Sequence, residues 1–329
     1  NIRKVKNDKI DSKGIAKLGL SKDIPVSQFP AKLVLELRSL TRKYYDLTDE
    51  RSAHINKLKG DLHTVFPQYL DVFCDVTGKT STMILRQYGT PDKILRGHKK
   101  TMIEKISKAS RKGLAKASER YEKLCAAANA AKTFGCQIDS IYFNIFLTLD
   151  LVEKLDSALD SILNRIRQLI TFNKKEKFIQ QIKLLNTIPG VGFLTAVTIM
   201  CEIGDFSAFR NPKQLFAYFG LDPEVNESGK FVGTQLHMSK RGSRIARRAI
   251  FAVALASIRT KRNGEGINPY LRKYYELKSG QKPKMVAIGA VMHKVCNIVF
   301  AVLRDEKAFE LRSPEEHCKQ YQRPALAAA

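Results

Sequence analysis

The chain has 329 residues, of which 57 are Lys or Arg and 32 are Asp or Glu, so its formal net charge is +25 at pH 7. This excess predicts nucleic acid or an anionic membrane surface as the partner, the alternative being a basic protein that is merely soluble. The six cysteines form no C-x-x-C pair and have no matching His spacing, which argues against a zinc site and a disulfide framework.

Residues 1–24 form a short basic piece with two notable acids, Asp8 and Asp11. Their i, i+3 spacing places both carboxylates on one face of a helix. Two anions that close repel each other unless a cation or a metal ion lies between them. The alternative is that neighbouring lysines neutralise them at the surface, and the spacing alone favours that alternative.

Two long amphipathic segments predict a helical region over residues 25–178. Apolar residues recur at alternating steps of three and four from Leu33 to Val65, and again from Ile141 to Leu169. Two helices of similar length could pair antiparallel as a coiled-coil arm, or they could pair between subunits.

Between these segments, Asp71 to Ala131 predicts several shorter helices with breaks at Gly78, at Gly89-Thr90-Pro91 and at Gly97. The run KKTMIEKISKASRKGLAKASER is rich in lysine. We expect a mainly solvated face with some nucleic-acid contact, since nothing in the sequence separates the two.

Residues 179–312 predict a helical C-terminal domain that opens with a helix-hairpin-helix. Ile188 to Gly192 separates two apolar helical segments, and its Pro and Gly residues allow a tight reversal. The second helix would begin with unpaired N–H groups, which attract anions. We therefore predict that Gly190, Val191 and Gly192 contact a DNA backbone, the alternative being an ordinary packing corner.

The next segment suggests structural roles. Glu202 and Asp205 are too few for a metal site, and Asp205 is placed to cap a following helix. The aromatic residues Phe216, Tyr218 and Phe219 are predicted to lie in the core rather than to stack on bases.

Ser228 precedes Gly229-Lys230 in what we predict to be a polar turn with an exposed hydroxyl. From Lys230 to Asn263 the chain has nine Lys or Arg and no acid. A serine is a weak nucleophile without a base or a metal, and attack on a phosphodiester also needs cations around the phosphorus. The candidate cations are Lys230, Lys240, Arg241, Arg244, Arg247 and Arg248. By composition alone, Ser228 is an ordinary turn serine.

The segment from Met285 to Leu303 is long and apolar, but His293 and Lys294 lie in its middle. This favours a buried helix over a membrane span. No signal peptide is visible, so we expect a cytoplasmic protein without membrane contact. Residues 313–329 are expected to form a disordered tail.

Several motifs, in order, resemble the insertion-sequence transposases of the IS110 and IS1111 family, which are recombinases guided by a bridge RNA. The motifs are KNDKIDSKGIAKL, LRSLTRKYYDLTDERSAHINKLKGDLH, IPGVGFLTAVTIMCEIGDFSAF, QLFAYFGLDP, ESGK and SKRGSRIARRAI. The resemblance extends from the first residues to about Ala256.

This resemblance implies a mainly α-helical chain that begins with the tail of a RuvC-like α/β domain. It implies that Asp8 and Asp11 are the third and fourth acids of a D-E-D-D tetrad that holds Mg²⁺, and that Ser228 is the nucleophile that forms a phosphoserine link with DNA. It further implies a structured guide RNA and a homodimer or tetramer assembled on donor and target DNA.

The sequence departs from the family pattern at its start, because only seven residues precede Asp8. The first Asp and the Glu of the tetrad have no counterpart, so we expect the chain as given to be inactive, whether trimmed or decayed. The rival interpretation is a non-catalytic helix-hairpin-helix protein that binds DNA or RNA by charge.

Overall fold

The fold is mainly helical, as predicted. The computed structural model describes residues 8–20, 30–224, 227–228, 231–232, 237–313 and 315–316, with the backbone alone for 8–10, 227–228 and 231–232. The first eight helices are α1 (Asp8–Gly19), α2 (Lys32–Val65), α3 (Tyr69–Val72), α4 (Lys79–Gln87), α5 (Pro91–Arg96), α6 (Lys99–Ser110), α7 (Leu114–Phe134) and α8 (Asp139–Phe172).

The C-terminal part continues with shorter elements around one core. They are α9 (Lys177–Leu185), α10 (Phe193–Ile203), a 3₁₀ turn (Phe206–Ala208), α11 (Pro212–Tyr218), β1 (Glu227–Ser228), β2 (Phe231–Val232), α12 (Arg244–Ser257), α13 (Pro269–Ser279) and α14 (Lys284–Asp305). The predicted α/β character of residues 1–24 is not seen in the described part of that segment, where α1 is a helix.

Helices α2 and α8 pair antiparallel along their length, within one chain. Near the middle, Arg51 forms an ion pair with Asp156. At the far end, the Tyr142 hydroxyl donates to the carbonyl of Val65 at 3.4 Å. The heptad prediction is confirmed, and the choice between pairing within a chain and pairing between subunits is resolved in favour of the former for these two helices.

One core lies at the end of this helix pair where α2 stops. It joins the last third of α2 and the first third of α8 to α3–α7. The helix breaks lie where the sequence predicts them: Gly78 is the N-cap residue of α4, and the Thr90 side chain accepts from the Lys93 N–H to cap α5, with Pro91 as its first residue. Each fully buried Leu or Ile contributes about 1.5–3 kcal/mol, so this small core is stable only as a unit.

The second core lies at the opposite end and contains α9–α14. Leu37 of α2 and both Ile166 and Leu169 of α8 are part of it, so the predicted boundary between residues 178 and 179 passes through one core. Of the described helices, α14 alone has the length and apolar composition to cross a membrane. It packs against α12 and α13 with its apolar side buried, which is the buried helix that the sequence predicts.

Candidate functional site

The chain between α11 and α12 forms a two-stranded ribbon that carries Ser228. Three backbone hydrogen bonds join its sides: Lys240 N to Gly220 O (3.0 Å), Ser239 N to Asp222 O (2.8 Å) and Glu224 N to His237 O (2.7 Å). Farther out, β1 pairs antiparallel with β2, and Ser228 lies opposite Phe231. We predicted that Ser228 lies in a turn, but Ser228 is the last residue of β1. Its side chain, and Gly229 and Lys230, lie outside the described residues.

The base of this ribbon is held by close backbone contact. Gly220 adopts a φ of +66°, which favours glycine, and a Cβ on Gly242 would lie 1.9 Å from the carbonyl oxygen of Tyr218. The Arg247 guanidinium donates to the carbonyls of Phe219 (3.1 Å) and Gly242 (2.7 Å). The orientation of the ribbon is therefore fixed relative to α12.

Three of the predicted phosphate-contacting residues surround the first turn of α12. Lys240, Arg241 and Arg244 are exposed, and Ser243 caps the helix by accepting from the Ala246 N–H at 3.1 Å. The remaining N–H groups of the first turn and the positive end of the helix dipole point the same way, so the start of this helix attracts anions.

Two other predicted phosphate contacts are engaged with the protein. Arg247 clamps the ribbon base, as described above. Arg248 forms an ion pair with Asp49 of α2 at 2.7 Å and lies over the Tyr45 ring at 4.8 Å, while Arg244 also reaches Asp49 at 3.3 Å. One carboxylate of the coiled coil therefore offsets charge on the basic helix.

A cleft of about 470 Å³ lies beside the start of α12. Its walls are Arg38, Arg42, Glu202, Ala217, Tyr218, Arg241, Gly242 and Ser243. The Glu202 side chain is only 2% exposed and accepts from Arg42 at 2.8 and 2.9 Å. Burial alone would raise the pKa of Glu202, but hydrogen bonds from Arg42 and Ser243 outweigh it and lower that pKa. The cleft thus carries three arginines against one carboxylate, which is already paired.

This ion pair gives a stability prediction. Arg42→Ala leaves Glu202 buried without its partner, and because Arg42 is half exposed we expect a loss of about 2–3 kcal/mol, below the roughly 3–5 of a fully buried pair. The lowered pKa means that the stabilisation is present above about pH 4.3 and is lost as the pH falls. Urea unfolding at pH 7 and pH 3 measures both.

The control for this variant is Lys32→Ala, because Lys32 pairs with Glu36 at the surface of the same helix. A change below about 1 kcal/mol is expected there. Equal losses for the two variants, or a loss for Arg42→Ala that is the same at both pH values, would contradict the role assigned to Glu202.

Among the other residues between α10 and the ribbon, Asp205, Phe216 and Phe219 have the structural roles that were predicted, whereas the prediction that Tyr218 lies in the core is wrong. Asp205 accepts from the Ser207 N–H at 2.9 Å and caps the 3₁₀ turn. Phe219 is buried and Phe216 packs against the core. Tyr218 is half exposed, and its hydroxyl donates to the carbonyl of Glu202 at 3.1 Å, so it supports the cleft wall.

A tight turn joins α9 and α10 where the hairpin was predicted, and the three residues named for it differ in position. Gly190 has a φ of +95° and lies against Ser257 of α12, whose hydroxyl donates to the carbonyl of Pro189 at 3.1 Å. Val191 is buried. Gly192 is exposed at the start of α10, so contact with a phosphate at this hairpin would come through the N–H groups that follow it.

The predicted metal ligands lie on α1. Asp8 and Asp11 are one helical turn apart, and every side chain from Asp11 to Leu20 is exposed. In the part of the chain that the structure describes, no three His, Cys, Asp or Glu residues are grouped to hold a metal ion. A Mg²⁺ site needs near-octahedral oxygen ligation, which two carboxylates alone do not complete, so we derive no step through a metal.

Two family models match separate segments of the chain. A family model described as "Transposase IS116/IS110/IS902 family" matches residues 182–276, and a DEDD-type IS110 transposase model matches residues 1–67. The first match contains the hairpin, the ribbon and α12, and the second contains α1 and α2. Over these two segments the chain is similar to transposases of the IS116/IS110/IS902 family.

The chain has relatives in several bacteria. It is 23% identical to an IS110 protein of Streptomyces coelicolor over 86% of the chain and 66% of that protein. It is 30% identical to the pilin gene-inverting protein of Moraxella bovis over 54% of the chain and 52% of that protein. A transposase for IS1111A of Coxiella burnetii is 26% identical over 55% of the chain and 50% of that protein. The chain therefore spans about half to two thirds of the length of these relatives.

The structure also adds residues to this candidate site that the sequence did not indicate. Arg42 and Asp49, both on α2, contact the wall of the cleft and the basic helix α12. Both positions lie off the apolar stripe of the heptad pattern, where polar residues are usual, so the sequence gives no signal of a partner far along the chain. Their position shows that the coiled coil is part of the site.

Proposed function

We propose that this chain is the strand-transfer part of an insertion-sequence transposase, with Ser228 as the nucleophile. The observation that carries the proposal is the anchored ribbon: Ser228 ends a strand whose base is fixed to the exposed, cationic start of α12. The relatives named as a transposase and as a gene-inverting protein support DNA as the substrate.

The proposed chemistry is a transesterification. The Ser228 oxygen attacks a DNA phosphorus, its proton is released to water, and a phosphoserine ester forms. One P–O bond of the DNA breaks, and the departing oxygen takes up a proton to leave as a hydroxyl. Attack by a second DNA hydroxyl reverses the link and joins the new strands. Lys240, Arg241 and Arg244 would stabilise the charge on the five-coordinate phosphorus.

The resemblance adds partners to this proposal. A structured guide RNA and a homodimer or tetramer on donor and target DNA are part of it. A Mg²⁺ ion held by Asp8 and Asp11, a cytoplasmic location and the absence of membrane contact stay predictions.

Covalent capture tests the nucleophile. The longest open reading frame that contains the chain is incubated with labelled DNA carrying an element end and denatured in detergent, and the protein–DNA adduct is digested. We expect phosphoserine at Ser228 in the mass spectrum. An adduct through another residue, or strand exchange without any adduct, would refute the assignment.

The second candidate function is DNA binding without cleavage. It is favoured by the lack of an assembled acidic cluster in the described residues. This rival predicts that the parent protein binds element-end DNA but yields no adduct and no exchanged strands, whereas the proposed transposase yields both.

Arg244 gives a binding prediction. Its side chain is 80% exposed at the start of α12, so Arg244→Ala should remove one phosphate contact and lower the slope of log affinity against log salt by about 0.9. Filter binding of duplex DNA over a salt series measures it.

The matched control is Arg165→Ala, an exposed arginine of α8. It removes the same charge and should change the slope far less. An unchanged slope for Arg244→Ala, or the same change for both variants, would show that the start of α12 does not hold a phosphate.

A further inference from the structure

A second basic surface lies on α6, α7 and the turn between them, far from Ser228 in sequence. Residues 99–123 contain nine Lys or Arg and three Glu, with no Asp. We call Lys108, Lys112, Lys116, Arg120 and Lys123 the lysine face. This segment lies outside both family-model matches, because one covers residues 1–67 and the other covers residues 182–276.

The packing of α6 and α7 directs the charge outward. Met102, Ile106 and Leu124 are fully buried between the two helices and the rest of the first core. Lys108, Lys112 and Lys116 are exposed, and no ion pair joins them to any residue that the structure describes. In contrast, two acids of α8 are paired, since Asp150 and Glu153 bind Arg86. The charge of the lysine face is therefore available to a partner.

The lysine face is concave. A cleft of about 260 Å³ is lined by Lys112, Lys116, Arg120 and Lys123, together with Ser110, Asp71 and Glu119. Glu119 is already paired with Lys123 at 2.7 Å. Lys116, Arg120 and Lys123 extend along about 10 Å of α7 at ~1.5 Å per residue, a length over which duplex DNA carries roughly six phosphate charges.

The partner that this surface fits is a polyanion and not a lipid bilayer. Helices that lie on membranes expose a broad apolar face beneath their cations. Here the apolar faces of α6 and α7 are turned inward, and Leu114 is the large apolar side chain exposed near the turn.

The position of the lysine face relates it to the strand-transfer site. Asp49 contacts α12, and α2 then continues for about 24 Å to Val65, at ~1.5 Å per residue, before α3 begins. That distance corresponds to roughly seven base pairs of duplex. The lysine face belongs to the core at that end of α2, so a duplex held at α12 must extend this distance along the coiled coil to contact it.

We infer that the lysine face binds the phosphate backbone of duplex DNA that flanks the strand-transfer site, without reading its sequence. The inference rests on the proposed function for the identity of the ligand and for the DNA held at α12, and not for any chemical step. Binding at the lysine face would orient the DNA along the coiled coil.

The test compares two triple variants of the same charge. Lys108→Gln/Lys112→Gln/Lys116→Gln alters the lysine face, and Lys273→Gln/Lys282→Gln/Lys284→Gln alters exposed lysines of α13, α14 and the turn between them, outside the coiled coil. With a duplex of about 40 base pairs, the first variant should lower the salt slope by about 2.7, as expected for three lost phosphate contacts. The control should lower it by less than about 1. Substitution of the same three residues by Arg should retain the parent slope.

Three outcomes would overturn the inference. These are an unchanged slope in the first variant, equal slope changes in both triple variants, and a change with duplex RNA that is absent with duplex DNA. Such a failure is distinct from a failure of the proposed function, because covalent capture at Ser228 uses the ribbon and leaves α6 and α7 unaltered.

Discussion

Ser228→Ala is expected to reduce strand exchange between donor and target plasmids by at least about 10³-fold, because removing a catalytic nucleophile leaves the rate supplied by binding and charge stabilisation alone. DNA affinity should stay within about twofold of the parent, since a neutral hydroxyl contributes little to a binding energy dominated by phosphate contacts. Exchange is measured with the longest open reading frame that contains the chain, and affinity on the same preparation.

Ser239→Ala is the matched control. Ser239 lies on the opposite side of the same ribbon, and its hydroxyl donates to Asp222 at 2.6 Å. It loses one hydrogen bond of about 1 kcal/mol but no nucleophile, so exchange should fall only modestly. Full exchange by Ser228→Ala would eliminate the nucleophile assignment. Equal losses in the two variants would indicate that the ribbon matters for its shape alone.

The long helices and their breaks could be predicted from sequence because the signals are local. The repeat from Leu33 to Val65 specifies a buried stripe, and Gly78, Thr90 and Gly97 end or begin helices through their own backbone preferences. The antiparallel pairing of α2 and α8 is one of the two arrangements that the pattern allowed, the other being pairing between subunits. What the pattern did not indicate is that each end of the pair enters a different core.

The candidate site was predictable only in part because its decisive contacts are long-range. Glu202 looked like half of a weak acidic pair with Asp205, but its partner is Arg42, 160 residues away. Arg247 and Arg248 looked like part of one cationic run, yet one clamps the ribbon base and the other pairs with Asp49. The charge composition predicted a surface that binds a polyanion. It did not distinguish exposed arginines from those that hold the fold together.

The ribbon base gives the largest stability prediction, through Gly242→Ala. A Cβ at this position would lie 1.9 Å from the carbonyl oxygen of Tyr218 and 2.8 Å from the N atom of Gly220, both backbone atoms. Because no side-chain rotation relieves these contacts, the strands must separate, and the Arg247 bonds to Phe219 and Gly242 are lost with them. We expect a loss of at least about 3 kcal/mol, or roughly 4 °C in Tm for a chain of 329 residues.

Gly289→Ala in α14 is the control, because a Cβ there meets no atom within 4 Å. Alanine in a helix interior should stabilise the chain by about 0.5–1 kcal/mol relative to glycine. Thermal melts of both variants measure the difference, and strand exchange by folded Gly242→Ala protein below its Tm shows whether the ribbon must be anchored for Ser228 to act. A Tm for Gly242→Ala equal to that of the parent would mean that the strands separate at little cost, and the fixed geometry on which the Ser228 assignment depends would then fail.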